Sequence, residues 1–197
     1  MSFRKEKKFQ ISNSESIQIK KEFFKDGMKN LYPQRIINSL YFDTKDFRLF
    51  KDSEEGVLPR KKIRVRWYKD NKNYTKETKI SSLEGRYKIK EPYIFVKQKE
   101  NTSLFDRQYG ILFPSLIVQY EREYYLFNKV RITFDRNITY DNLNHTTKPR
   151  YIEHMCVMEI KTPRYLSEDY IEKIFQYPTS RFSKYCRGVL RTQEVAK

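Results

Sequence analysis

Period-two alternation of ionic and apolar side chains, repeated in segment after segment, constrains this chain more than any other feature. Successive side chains of a strand point to opposite faces, so each such segment reads as a strand with one charged face and one apolar face. Near the start, Arg4, Glu6 and Lys8 share one parity while Phe3, Phe9 and Ile11 share the other. Over residues 62–68, Lys62, Arg64 and Arg66 alternate with Ile63, Val65 and Trp67. Glu77 shares a face with Lys79, and Arg86, Lys88 and Lys90 alternate with Tyr87 and Ile89. Further on, Arg131 and Asp135 oppose Val130, Ile132 and Phe134, and Glu159 and Lys161 oppose Met158 and Ile160.

Two architectures produce that pattern. An ordinary antiparallel sheet solvates its charged face and packs the apolar one on a core. A closed barrel with a polar lumen instead covers an apolar exterior with helices and loops. Periodicity does not separate inside from outside. The charged faces are nevertheless rich in arginine, which forks onto phosphate oxygens in a way lysine does not. Interspersed acids (Glu6, Glu77, Asp135, Glu159) suit a metal–triphosphate complex better than a bare nucleic-acid backbone, because hard divalent cations take carboxylate oxygens.

Helices are expected towards the two ends. Ser12 and Glu15 have capping-box spacing, Ile17, Phe24 and Met28 recur on one helical face, and Gly27 is the expected stop. Ser167 is the expected cap of a helix carrying Ile171, Ile174 and Phe175, ended by Pro178. Composition then sets the partner class. The chain has 197 residues, within the range of a single domain (1–197), and carries 41 basic against 25 acidic residues, a formal charge of +16. Such an excess attracts polyanions. The 16% aromatic content excludes a disordered chain.

Cys156 and Cys186 make neither a disulfide framework nor a metal cluster, so reduced thiols in a cytoplasmic protein are expected. His145 and His154 lack the spacing of a zinc site and read as loop or surface residues. The opening segment is charged from Arg4 onward, without the apolar stretch of a signal peptide. No apolar run approaches the roughly 18–20 residues that span a bilayer. No intrinsic membrane segment is therefore expected.

At this point the motifs resemble a known family. Arg4-Lys5-Glu6-Lys7-Lys8-Phe9 is similar to the R-x-E-x-K-[FY] opening of the polyphosphate polymerase domain of vacuolar transporter chaperone (VTC) complexes and their bacterial relatives. Ser39-Leu40-Tyr41-Phe42-Asp43-Thr44, Lys62-Ile63-Arg64-Val65-Arg66 and Glu77-Thr78-Lys79 resemble its next three motifs. Tyr120-Glu121-Arg122, Arg131-Ile132-Thr133-Phe134-Asp135, Met158-Glu159-Ile160-Lys161 and Phe182-Ser183-Lys184-Tyr185, with Gly188, follow in the family's order.

The resemblance implies an α+β, mainly antiparallel fold of the triphosphate tunnel metalloenzymes, related to CYTH proteins: a closed eight-stranded β-barrel with a polar lumen and flanking helices. It implies that Lys8, Arg64, Arg66, Lys79, Arg122, Arg131 and Lys184 contact phosphates in a catalytic role. Arg4, Lys62, Arg86, Lys88 and Lys161 form a secondary phosphate-binding set. Glu159 would hold the metal, Mn2+ or Mg2+, and Glu6, Glu77 and Asp135 would assist the metal or orient water. The hydrolytic branch opens with E-x-E-x-K; Arg4 at the first position matches the polymerase branch instead.

The implied activity is a metal-dependent phosphotransferase that moves the γ-phosphate of ATP onto inorganic polyphosphate. Triphosphate hydrolysis, in the manner of a tripolyphosphatase, is the alternative; a non-catalytic polyphosphate or nucleotide sensor is another. ATP and polyphosphate are the expected partners, with no specific nucleic acid and with a membrane partner left open. Tyr41 and Phe42 read as core residues rather than base-stacking ones.

Overall fold

Each alternating segment folds as a strand and each capped segment as a helix. In the computed structural model, residues 5–69, 71–94, 103–144, 147, 149–163 and 165–195 are described. The elements run β1 (Lys5–Ile11), α1 (Asn13–Lys25), β2 (Lys29–Asp43), α2 (Arg48–Glu55), β3 (Arg60–Tyr68), β4 (Asn71–Ser82) and β5 (Gly85–Tyr93). They continue with β6 (Leu104–Asp106), β7 (Gly110–Phe127), β8 (Val130–Asn142), β9 (Arg150–Ile152), β10 (Cys156–Thr162), α3 (Glu168–Ile174) and α4 (Lys184–Val195). Hydrogen-bonded neighbours follow the order β1-β10-β8-β7-β2-β3-β4-β5, with β6 on β7 and β9 on β8.

The mainly antiparallel fold with flanking helices is as expected, but the closed barrel is corrected. β1 and β5 end the strand order, and among the described residues no pairing joins them. The edge chemistry explains this. β1 carries Lys5, Lys7 and Lys8, and β5 carries Arg86, Lys88, Lys90 and Pro92. Lysine-rich edges repel further pairing, and a proline has no N–H to offer a neighbour.

The chain packs as two compact units. The first comprises Met1–Arg35, Tyr120–Ile138 and Glu153–Phe182. Its core joins Phe9 and Ile11 of β1 to Ile132 and Phe134 of β8 and Met158 and Ile160 of β10. α1 begins in the expected capping box: the Ser12 hydroxyl accepts from the Glu15 N–H at 3.1 Å, and Glu15 accepts from the Ser12 N–H at 2.6 Å. It ends in a Schellman turn at Gly27 (φ 95°), where the Gly27 N–H donates to the Phe24 carbonyl and the Met28 N–H to that of Phe23.

The helix phase differs from the expected one. Ile19 and Phe23, four residues apart, are the buried pair, whereas Ile17 is 61% exposed and Phe24 43%. Met28 joins the core from beyond the turn, where the Schellman geometry brings it against Phe23. α3 starts at its expected Ser167 cap and buries Ile171, with Phe175 beside it in the core.

The second unit comprises Ile36–Gln119, Thr139–Ile152 and Ser183–Lys197. Leu40 and Phe42 of β2, Leu49 of α2, Ile63 and Val65 of β3, and Leu112 of β7 form its core. α2 has no side-chain cap from Phe47, the residue before it, which adopts the left-handed region at φ 59°. Asp43 supplies the cap from the end of β2, its carboxylate accepting from the backbone N–H groups of Leu49 and Phe50 at 2.9 Å each. In α4, Gly188 lies so close to Tyr140 and Leu116 that a methyl group built there would meet them at 2.4 and 2.6 Å.

Cys156 and Cys186 are both free and buried, and burial pushes the Cys156 thiol up to about 12. His154 is exposed, and His145 lies outside the described residues. No helix among the described residues is long and apolar enough to cross a membrane.

Candidate functional site

Strand register places the charged side chains in two groups, one in each unit. In the first unit, β1 and β10 pair so that Glu6 faces Lys161 and Lys8 faces Glu159. β10 and β8 pair so that Glu159 faces Thr133 and Lys161 faces Arg131. All of these share one face by parity. Lys5 and Lys7, on the other parity of β1, pair instead with Glu168 and Glu172 of α3.

Within this group the acids are taken by cations. Lys161 Nζ lies 2.5 Å from Glu6 Oε1 and 2.9 Å from Glu159 Oε1. Burial alone would raise the Glu159 carboxyl, but Lys161, Arg122 and Lys8 together hold it well below the usual carboxylate range. Arg122 grips fully buried Asp135 at two points, Nε to Oδ1 at 2.5 Å and Nη2 to Oδ2 at 2.7 Å. Lys8 Nζ donates to the Phe182 carbonyl at 2.7 Å. The buried Nε of Arg131 has no hydrogen-bond partner among the described residues.

In the second unit, Tyr41, Arg64 and Glu77 form one cross-strand row of β2, β3 and β4. Ser39, Arg66 and Thr75 form the next row, and Lys62, Lys79 and Lys88 continue the face from β3 to β5. Glu77 is the hub. Arg64 donates to its Oε2 from Nε at 2.9 Å and from Nη2 at 2.6 Å, Arg66 Nη1 lies 3.7 Å away, and Lys88 Nζ reaches Oε1 at 2.5 Å. Burial would raise this carboxyl, yet Arg64, Arg66 and Lys88 hold it well below its ordinary value. Burial in turn lowers the Lys88 ammonium, with Glu77 acting against it.

An aromatic support stands behind this row. Arg64 Nη1 donates to the Tyr41 hydroxyl at 2.9 Å, and the Tyr41 ring stacks on Tyr185 at 4.9 Å. The Tyr185 hydroxyl donates to buried Asp43. Burial would push the Tyr41 phenol up, but Arg64, Arg66 and Lys184 overcome it and the net displacement is downward. Lys184 is the first residue of α4, and Lys62 Nζ donates to the Ser183 hydroxyl at 2.8 Å.

Lys79 and Arg86 are exposed on β4 and β5, and Arg4 lies outside the described residues. The sequence reading missed Asp43 and Tyr185. Both stood in quoted motifs; an acid directly after the apolar run Leu40-Tyr41-Phe42 is the signal that would have found Asp43, whereas Tyr185, beside Ser183 and Lys184, carried none.

Among the described residues no group of three or more His, Cys, Asp and Glu stands ready to hold a divalent metal. Mg2+ with a phosphate substrate needs only one or two carboxylates, because phosphate oxygens and waters complete its shell. Glu159 and Glu6, which already share a single cation, fit that requirement.

An antiparallel sheet whose charged faces combine excess cations with isolated carboxylates has the donor chemistry that phosphate groups take. The sequence matches the VTC domain over residues 3–192, so the chain belongs to the VTC domain family, as its motifs indicate. No curated protein matches it. Solved structures share its fold. A conserved hypothetical protein of Pyrococcus furiosus is 16% identical with a TM-score of 0.58, over 93% of this chain and 99% of that one. A candidate adenylate cyclase of Bacillus halodurans is 14% identical with a TM-score of 0.60, over 92% and 94%. A candidate adenylyl cyclase of Hippeastrum, described as having a dominant triphosphatase activity, is 11% identical with a TM-score of 0.55, over 96% and 97%.

Proposed function

We propose that this VTC domain is a polyphosphate polymerase, transferring the γ-phosphate of ATP to the end of an inorganic polyphosphate chain. The supporting observation is the Glu77 hub. Two guanidinium groups and an ammonium are gathered on one carboxylate, which leaves a net positive face on β3, β4 and β5. Phosphoryl transfer passes through a loose transition state that needs positioning and charge stabilisation more than covalent help. In the proposed roles, Arg64, Arg66, Lys88 and Lys184 hold phosphate oxygens in the second unit, and Arg131 and Lys8 do so in the first.

A terminal phosphate oxygen of the acceptor attacks the γ-phosphorus. The bond from that phosphorus to the β–γ bridging oxygen breaks, and ADP leaves with the electron pair. The attacking oxygen is already anionic near neutral pH, so no base is required. Glu159 and Glu6 are the carboxylates that would hold Mn2+ or Mg2+, which when bound supplies charge neutralisation on the phosphate oxygens.

Transfer is favoured over hydrolysis by where the acids point. Hydrolysis needs a carboxylate to orient or deprotonate water. Glu77 is committed to Arg64 and Lys88 and Asp135 to Arg122, and in the proposed roles Glu6 and Glu159 are given to the metal. The test is incubation of the purified protein with ATP and Mn2+, with products resolved by size. Long phosphate chains plus ADP are expected. Free phosphate alone would indicate a hydrolase, and tight tripolyphosphate binding without turnover a sensor. Arg64→Ala and Lys184→Ala are each expected to lower turnover by more than about tenfold, and near-normal rates in both would remove these residues from the site.

A further inference from the structure

The ammonium of Lys161 lies between the carboxylates of Glu6 and Glu159. Glu6 and Lys161 face each other across β1 and β10, and Glu159 lies two residues before Lys161 on the same face of β10. Both acids reach the same Nζ, at 2.5 and 2.9 Å, from Oε1 in each case. Lys161 retains 17% of its side-chain exposure and Glu159 only 9%, so the pair is sheltered and weakly screened. Of the other bases near Glu159, Arg122 is held by Asp135 and Lys8 Nζ donates to the Phe182 carbonyl at 2.7 Å. Lys161 Nζ bridges the two carboxylates.

We propose that Lys161 is a tethered counter-cation that competes with divalent metal for Glu6 and Glu159, so that metal binds only as the ammonium swings away. The exchange substitutes two charges for one between the carboxylates: the single ammonium of Lys161 is shared by Glu6 and Glu159, with Lys8 and Arg122 adding to it at Glu159, whereas a divalent cation between them balances both directly. The displaced ammonium keeps its charge and becomes available to a phosphate oxygen. In a protein handling a metal–triphosphate complex, metal arriving without phosphate therefore meets a filled site, and metal arriving with phosphate offers the lysine a second partner. Lys161 is then not simply another phosphate ligand but the residue that ties metal occupancy to substrate. This purpose rests on the function proposed above; the competition itself does not.

The test uses Mn2+ alone, with no nucleotide or phosphate, read by the loss of the free Mn2+ electron paramagnetic resonance signal on titration with the full chain. Lys161→Met and Lys161→Gln are each expected to bind Mn2+ about tenfold more tightly than the natural protein, as removal of one close charge competitor implies. Glu6→Gln placed on Lys161→Met is expected to reverse that gain, and circular dichroism checks that each variant folds. Unchanged or weaker Mn2+ binding in both folded lysine variants would overturn the proposal, as would tighter binding that survives loss of Glu6 and of Glu159. Because no turnover enters the readout, a failure to make polyphosphate leaves this result intact, and the reverse also holds.

Discussion

Replacing Glu77 by glutamine removes the charge on which Arg64, Arg66 and Lys88 converge while preserving the shape of the side chain. The carboxylate is 4% exposed, and its three cations retain 12%, 14% and 35% of their side-chain exposure. Removing one partner of a fully buried ion pair costs about 3–5 kcal/mol. Residual exposure of the cations moves the expectation below that range, to about 2–3 kcal/mol. For a chain of this size that corresponds to a fall in melting temperature of about 5–10 °C.

The same substitution makes a second, opposite change in ligand response. Glu77 is the internal counter-ion of a basic face, so without it an added polyanion should fill the vacated role. Tripolyphosphate, in metal-free buffer with chelator, is expected to raise the melting temperature of Glu77→Gln by more than that of the natural protein, because a ligand stabilises in proportion to its binding. The acid side supplies a third readout. Glu77 is held below its ordinary value of 4.5, so its contribution is complete above about pH 4.5 and is lost as pH falls towards the folded-state value. Glutamine should flatten that part of the stability profile. An unliganded Glu77→Gln protein melting within a degree or so of the natural one would refute the hub. So would a tripolyphosphate response present in the natural protein and absent from the variant, since that marks Glu77 as a group the ligand needs.

Two further substitutions probe the scaffold behind the charged face. Gly188→Ala drives a methyl group to 2.4 Å from Tyr140 and 2.6 Å from Leu116, both fully buried, and is expected to cost about 2–3 kcal/mol, seen as a lower urea midpoint at unchanged slope. Asp43→Asn sets an amide donor or a weaker acceptor against the N–H groups of Thr44, Leu49 and Phe50 and the Tyr185 hydroxyl, and is expected to cost about 1–3 kcal/mol by thermal melt.

What was legible in the sequence was whatever depends on parity or on a local motif. The charged faces of β1, β3, β8 and β10 follow from alternation alone, and the capping box of α1 from four consecutive residues. Gly188 stood in a motif without an explanation, and the structure supplies one, since its lack of a side chain admits Tyr140. What depended on longer range was hidden. α2 has no cap from Phe47; Thr44 accepts from the Arg48 N–H, and Asp43, at the end of a strand, accepts from those of Leu49 and Phe50. The phase of α1 was read from Ile17 and Phe24, yet the buried pair is Ile19 and Phe23, since the sheet face it meets, not its own pattern, selects among apolar side chains.

Charge partnerships were the least legible feature, and they matter most to function. Residue type marks Glu77, Asp135, Glu6 and Glu159 alike as metal ligands or bases, but register gives each a cation before any substrate arrives, Lys161 serving both Glu6 and Glu159. A strand face of lysine and arginine alone would repel itself, because like charges directly opposite one another destabilise a sheet. Lys62 facing Lys79, and Lys79 facing Lys88, are such pairs. One buried carboxylate set among several cations relieves the repulsion without cancelling the positive excess. An acid in such a face therefore eases the repulsion among its bases, and the acids open to a metal would be those whose cation moves, as proposed for Lys161 at Glu6 and Glu159.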